Sequence, residues 1–220
     1  MSGLNINALI HGISIGAIPV LLAITLHEAA HALAASRCGD RTAAMLGRLS
    51  LNPIKHIDPI GTVAVPLGLW LFSGMLFGWA KPVPVGFHNL HNPRRDMIFV
   101  AVAGPAANFL MAAAWAMIFK IVFLAGISSS NIGQWLISMS EIGIFINILL
   151  GVFNLLPIPP LDGGRVLRGI VNEPIGEILD RIEPFGLIIV VLLLWSGFLW
   201  ALLQPMYALF QNLILLLVRI

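Results

Sequence analysis

The chain has 220 residues, 59% of them hydrophobic and 10% charged, with a mean hydropathy of +0.96 and a net charge of +2. Such a composition excludes a soluble domain and indicates an all-α polytopic membrane protein, with a single membrane domain filling 1–220. The charge sits near membrane edges, which speaks for membrane lipid and against a nucleic-acid partner, and one cysteine, Cys38, excludes an internal disulfide and a cysteine-rich zinc site.

The first residues, MSGLNINALIHG, lack the basic n-region of a secretory signal, so the apolar run that follows, about 12–35, is expected to stay in the mature protein. Inside that run stands HEAAH, with His27, Glu28 and His31. Two imidazoles and a carboxylate are costly in hydrocarbon unless something compensates them, and ionisable residues at membrane depth mark function by default. A zinc ion would compensate them. Residues four apart share a helix face, so both imidazoles can converge on one ion, while Glu28 is turned about 100° around the axis. From there it can exchange a proton with a water that zinc acidifies to a pKa of about 7. A chance match is the alternative, and it is rare within an apolar span.

Further apolar runs lie at 61–79, 98–125, 142–161, 184–203 and 205–218, each near the roughly 20 residues of a spanning helix, so five to six transmembrane helices are expected. Three segments are basic and read as cytoplasmic: 36–60 with Arg37, Arg41, Arg48 and Lys55; 80–97 with Lys81, Arg94 and Arg95; and 162–183 with Arg165, Arg168 and Arg181. The uncharged 126–140 and the N-terminus read as external. Since 36–60 and 80–97 then share a face, 61–79 cannot cross once. Its Gly61, Pro66, Gly68, Gly74 and Gly78 fit a re-entrant segment, although composition alone also allows an ordinary helix.

Segment 79–87, WAKPVPVGF, alternates Val83, Val85 and Phe87 with Pro82, Pro84 and Gly86. It reads as a short proline-marked edge strand or hairpin near the cytoplasmic face, with a polyproline-like loop as the alternative. Its use would be to hold an unwound substrate by strand addition through Val83 and Val85. In AGPAANF, Asn108 sits about 14 Å into the 98–125 helix, at the depth of His27, which is about 15 Å inside Arg37. It can reach a substrate carbonyl or make an interhelical hydrogen bond. Gly104, Pro105, Ala106 and Ala107 beside it read as close helix packing.

Catalytic zinc usually takes three protein ligands. Candidates for the third are His11, His56, His88, His91, Asp58, Asp96, Glu141 and Asp162. Asp162 stands out in NLLPIPPLDGGRVL, where prolines and glycines break the helix, because irregular backbone at membrane depth occurs only where it lines a cavity or is buried in protein. For one ion to touch both HEAAH and Asp162, the first helix and the 142–161 helix must run the same way, which again asks 61–79 to return to its starting face. Asn154, eight residues before Asp162, can face the same cavity. His56, Asp58, His88 and His91 read as loop residues ordering the cytoplasmic face rather than a second metal site, and Trp195, Phe198 and Trp200 as an interfacial aromatic belt.

HEAAH, AGPAANF and NLLPIPPLDGG, in that order over about 27–168, together resemble the site-2 protease family of intramembrane zinc metalloproteases, and NPIKHIDPIGT with GWAKPVPV is similar to its compact prokaryotic branch. The resemblance implies a catalytic core over about 12–168, followed by C-terminal helices at 184–218. It implies one Zn2+ per chain on His27, His31 and Asp162, Glu28 as catalytic base, and Asn154 as a substrate- or transition-state-binding residue. It further implies a transmembrane protein substrate cut within its membrane segment, by a multi-pass enzyme of the cell (inner) membrane whose active site lies nearer the cytoplasmic face. Two other functions compete. A metal-ion transporter needs polar residues spaced to both faces, whereas these gather at one depth; a zinc-dependent lipid hydrolase needs no strand clamp.

Overall fold

The computed structural model describes residues 6–65, 68 and 78–218, apart from the side chains of 6–11, 13, 63, 217 and 218. The chain forms α1 (Ile6–Arg37), a short α2 (Thr42–Met45), α3 (Pro93–Leu124), α4 (Asn131–Asn154), α5 (Asp162–Ile170), α6 (Glu173–Ile182), α7 (Gly186–Trp195) and α8 (Phe198–Val218). Among the described residues four helices are long and apolar enough to cross a membrane, at 14–37, 93–124, 131–154 and 198–216. The protein is therefore an all-helical membrane protein. The expected re-entrant segment, 61–79, lies largely outside the described residues.

Two boundaries differ from the sequence expectation. The helix expected at 142–161 begins at Asn131, because Ser130 caps it by accepting from the Gly133 N–H at 3.0 Å; only 126–130 remains a loop. The break expected near Pro205 falls instead at Ser196–Gly197, where Gly197 takes φ 75°, a value a Cβ disfavours; α8 then runs through Pro205. Trp195, Phe198 and Trp200 are exposed there, as an aromatic belt requires.

Contacts give the helix directions. His31 of α1 meets Val100 of α3, and Asn108 of α3 meets both His27 and Ala23 of α1, so α1 and α3 are antiparallel. Asn108 also meets Asn147 of α4, and Gly143 lies against Trp115, so α3 and α4 are antiparallel too. Thus α1 and α4 run the same way. Gly143 is needed, since a Cβ there would overlap the Trp115 ring. A core of Ala112, Ala116, Ile148, Val152, Val190, Leu199 and Leu203 joins α3 and α4 to α7 and α8.

The connection between α1 and α3 starts and finishes in one place, because the His91 N–H donates to the Cys38 carbonyl at 2.9 Å. Within it, the Trp79 N–H donates to the Gly61 carbonyl at 3.0 Å, and the Thr62 hydroxyl donates to the Trp79 carbonyl at 2.9 Å. The strand expected at 79–87 does not form: no strand occurs among the described residues, and 79–86 is coil leading into a 3-10 turn at Phe87–Asn89. Pro82 and Pro84 have no N–H to offer a ladder, and the Val83 N–H is turned to a side chain instead.

Candidate metal centre

His27 and His31 project from adjacent turns of α1, and Asp162 is the first residue of α5, delivered by the turn that ends α4. Their side chains meet in the bundle, 8%, 6% and 6% exposed. The two Nε2 atoms are 3.0 Å apart, and Asp162 Oδ2 lies 3.2 Å from each. Among the described residues this is the single group of three or more potential metal ligands; His56, Asp58, His88 and His91 form no second one.

The outer atoms of both rings fix their tautomers. His31 Nδ1 faces the Val100 carbonyl at 2.7 Å, which can only accept, so Nδ1 carries the proton. His27 Nδ1 faces Asn108 Oδ1 at 2.6 Å, and the Asn108 amide nitrogen is committed to the Ala23 carbonyl at 3.2 Å and Asn147 Oδ1 at 3.0 Å, so this Nδ1 is protonated as well. Both Nε2 atoms then present lone pairs to each other and to a carboxylate oxygen that receives no hydrogen bond. Three acceptors about 3 Å apart in a dry interior repel one another unless a cation lies among them.

The donor set fits zinc. A tetrahedral ion with ligands at about 2.0–2.1 Å has ligand–ligand edges of about 3.3–3.4 Å, close to the spacing found, and two neutral imidazoles with one carboxylate leave a fourth position open. The second layer is of the kind that tunes such a centre: each ring is oriented by a hydrogen bond from its other nitrogen. Gly104 completes the fit, since a Cβ there would overlap His31 Nε2 and His27.

Glu28 is half-buried, and its Oε2 accepts the Val83 N–H at 2.9 Å. Asn108 is fully buried and makes the interhelical hydrogen bonds that the sequence also allowed, to His27 and Ala23 of α1 and to Asn147 of α4. Asn154 ends α4 and donates to the Leu150 carbonyl of its own helix at 3.0 Å. Val83 is buried and Val85 half-buried. Sequence reasoning missed Asn147, although an amide inside the apolar run INILL was the same signal that picked out Asn108. It also set His56 aside as a loop residue ordering the cytoplasmic face. That histidine is 1% exposed, with Nε2 at 2.8 Å from the Ser50 carbonyl.

Comparison with known proteins agrees with this geometry. The sequence profile of peptidase family M50 matches residues 120–197. YwhC of Bacillus subtilis, named as a candidate zinc metalloprotease, is 36% identical over 194 residues, spanning 85% of this chain and 84% of that protein. Rip2 of Mycolicibacterium smegmatis, named likewise, is 31% identical over 79% of this chain and 64% of its own length. Rip3 of Mycobacterium tuberculosis is 32% identical over 70% of this chain but only 30% of its own length. No solved structure matches the chain.

Proposed function

The chain belongs to peptidase family M50, the site-2 proteases, and from that premise we propose that this zinc metallopeptidase hydrolyses peptide bonds inside transmembrane segments of other membrane proteins, in regulated intramembrane proteolysis. One observation carries the reading: three mutually facing acceptors, on His27, His31 and Asp162, enclosed by helices apolar enough to cross a bilayer. His27, His31 and Asp162 would hold the ion, which when bound supplies a Lewis acid and an acidified water. Glu28 takes a proton from the attacking water and returns it to the departing amine. Asn108 and the Val100 carbonyl keep both imidazoles in the ligating tautomer throughout.

A transmembrane helix has its carbonyls occupied, so the substrate must unwind before attack. Val83 and Val85, set between prolines beside Glu28, would hold it extended, and Asn154 would meet a substrate carbonyl after releasing Leu150. The 61–79 segment enters and leaves on one face, a reading supported by the Trp79–Gly61 and His91–Cys38 hydrogen bonds. That face is the cytoplasmic side of the cell membrane, by the charge of the segments flanking it.

The test is purified protein in vesicles with a transmembrane-peptide substrate, its products read by mass spectrometry. Paired fragments from one peptide bond, lost in Glu28→Gln, are expected. Zinc flux without cleavage identifies a transporter, and deacylated lipid without peptide products a lipid hydrolase.

A further inference from the structure

Asp40 lies just beyond α1, is fully buried, and has no part in the metal centre. Its Oδ1 accepts from the Thr42 N–H at 3.0 Å, from the Thr42 hydroxyl and from the Asn89 amide at 3.1 Å; its Oδ2 accepts the Gly86 N–H at 2.7 Å. One carboxylate thus caps the start of α2 with one oxygen and grips the segment after Trp79 at two residues. The chain turns toward this position at Gly39, whose φ of 110° a Cβ would strain, and a Cβ there would also strike the His91 ring.

From Pro82 to Gly86 only Val83, Val85 and Gly86 have an N–H, because prolines occupy 82 and 84. Two of these three donors are held by carboxylates, one on α1 and one just beyond its C-terminal end. Glu28 holds Val83, and Asp40 holds Gly86. Between the two clamps, Val83 clusters with Ala32 and Ala43, and Val85 packs against that cluster and against the one formed by Ala35, Leu90 and Val100. The segment therefore lies along α1 as a short strut. Its far end is held to the buried Asp40 by the Gly86 N–H and, three residues on, by the Asn89 amide, while its near end is held by the Val83 N–H on the Glu28 carboxylate.

We propose that Asp40 is a positioning residue for catalysis: it fixes the height of the Pro82–Gly86 strut along α1, and through the Val83 N–H it fixes the Glu28 carboxylate. The inference rests on the reading of Glu28 as the proton carrier. A carboxylate on a rotatable side chain needs such a brace, since a misplacement of about 1 Å can cost about a hundredfold in rate. Asp40 acts at a distance, so zinc binding does not depend on it.

The experiment uses zinc-loaded full-length protein in detergent micelles, wild type against Asp40→Asn. The amide retains one oxygen for Thr42 but turns a donor toward the Gly86 N–H, so it keeps the α2 cap and releases the strut. Zinc per chain should be unchanged, and hydrogen–deuterium exchange should rise about tenfold or more in a peptide spanning 79–87. Cleavage should fall about 100-fold in kcat with KM within about twofold, because orientation at the reacting atoms is lost and substrate affinity is not. Gly86→Pro deletes the single N–H bound by Oδ2 and is expected to reproduce the same pattern if Asp40→Asn does not fold. Val83→Pro deletes the N–H on Glu28, and adding Asp40→Asn to it should cost nothing further. Unchanged exchange over 79–87 in a folded, zinc-loaded variant overturns the proposal, as does an additive double mutant. Faster exchange in Asp40→Asn beside a wild type that never cleaves the peptide leaves the strut standing and overturns the protease reading instead.

Discussion

At the scale of single residues, the centre divides into atoms that touch the ion and atoms that aim them. His31→Ala should lose zinc, because two ligands hold an ion poorly, and metal analysis of the purified protein checks this. Glu28→Gln should keep zinc yet abolish peptide cleavage, since the amide preserves shape but cannot accept a proton. Asn108→Ala belongs to the second group: it frees the His27 tautomer and should weaken zinc by about 10–100-fold without abolishing it, measured by competition with a chelator. Asp40 adds a pH effect outside the membrane. Burial pushes its carboxyl up, but the Thr42, Gly86 and Asn89 hydrogen bonds outweigh this and hold it below its ordinary 3.8. A depressed carboxylate stabilises the fold fully above that ordinary value and loses the contribution as pH falls below it, through the folded value. The stability gap between wild type and Asp40→Asn should therefore be widest above about pH 5 and close on acidification, followed by thermal unfolding in detergent. The grouping of His27, His31 and Asp162 was legible because their chemistry is out of place beside apolar runs. The Val100 carbonyl was not, since every residue has one and only packing decides which is used.

At the scale of elements, the apolar runs located α1 and α3 well and misplaced the start of α4. Residues 128–140 lower the local hydropathy with serines, an asparagine and a glutamine, which imitates a loop. Within the helix Gly133 is buried against the Ile127 carbonyl of the preceding turn, and the buried Ser140 donates to the Leu136 carbonyl one turn back. A hydroxyl satisfied by its own helix is compatible with a membrane helix, so the same composition serves a helix as well as a loop. Gly104 makes the point at the centre itself, where α3 can pass the two imidazoles only without a side chain. Gly104→Ala should force α1 and α3 apart. Zinc occupancy should drop more steeply than in Asn108→Ala, with a lower unfolding temperature in detergent, both read on the same preparation.

At the scale of the whole molecule, the meeting of the histidines with Asp162 depends on how many times the chain crosses between them. α1 and α3 are antiparallel and joined at one end by the His91–Cys38 hydrogen bond, and α4 runs back alongside α1. α3 runs opposite to both, so the ends of α1 and α4 lie at the same end of the bundle. That parity was legible in the loop charges and in the need for Asp162 to meet His27; the interlocking contacts that realise it were not, because they depend on which small residues face each other. Cysteine labelling checks it in intact cells. With Cys38 replaced, single cysteines at the exposed positions Leu51, His88 and Ser129 probe the two flanks of 61–79 and the α3–α4 turn. An impermeant reagent should modify Ser129→Cys directly and should reach Leu51→Cys and His88→Cys only after the membrane is opened. Opposite labelling of Leu51→Cys and His88→Cys would mean that the chain crosses once between them; α1 and α3 would then start from the same face, and α4 would run opposite to α1 and could not bring Asp162 to the two histidines.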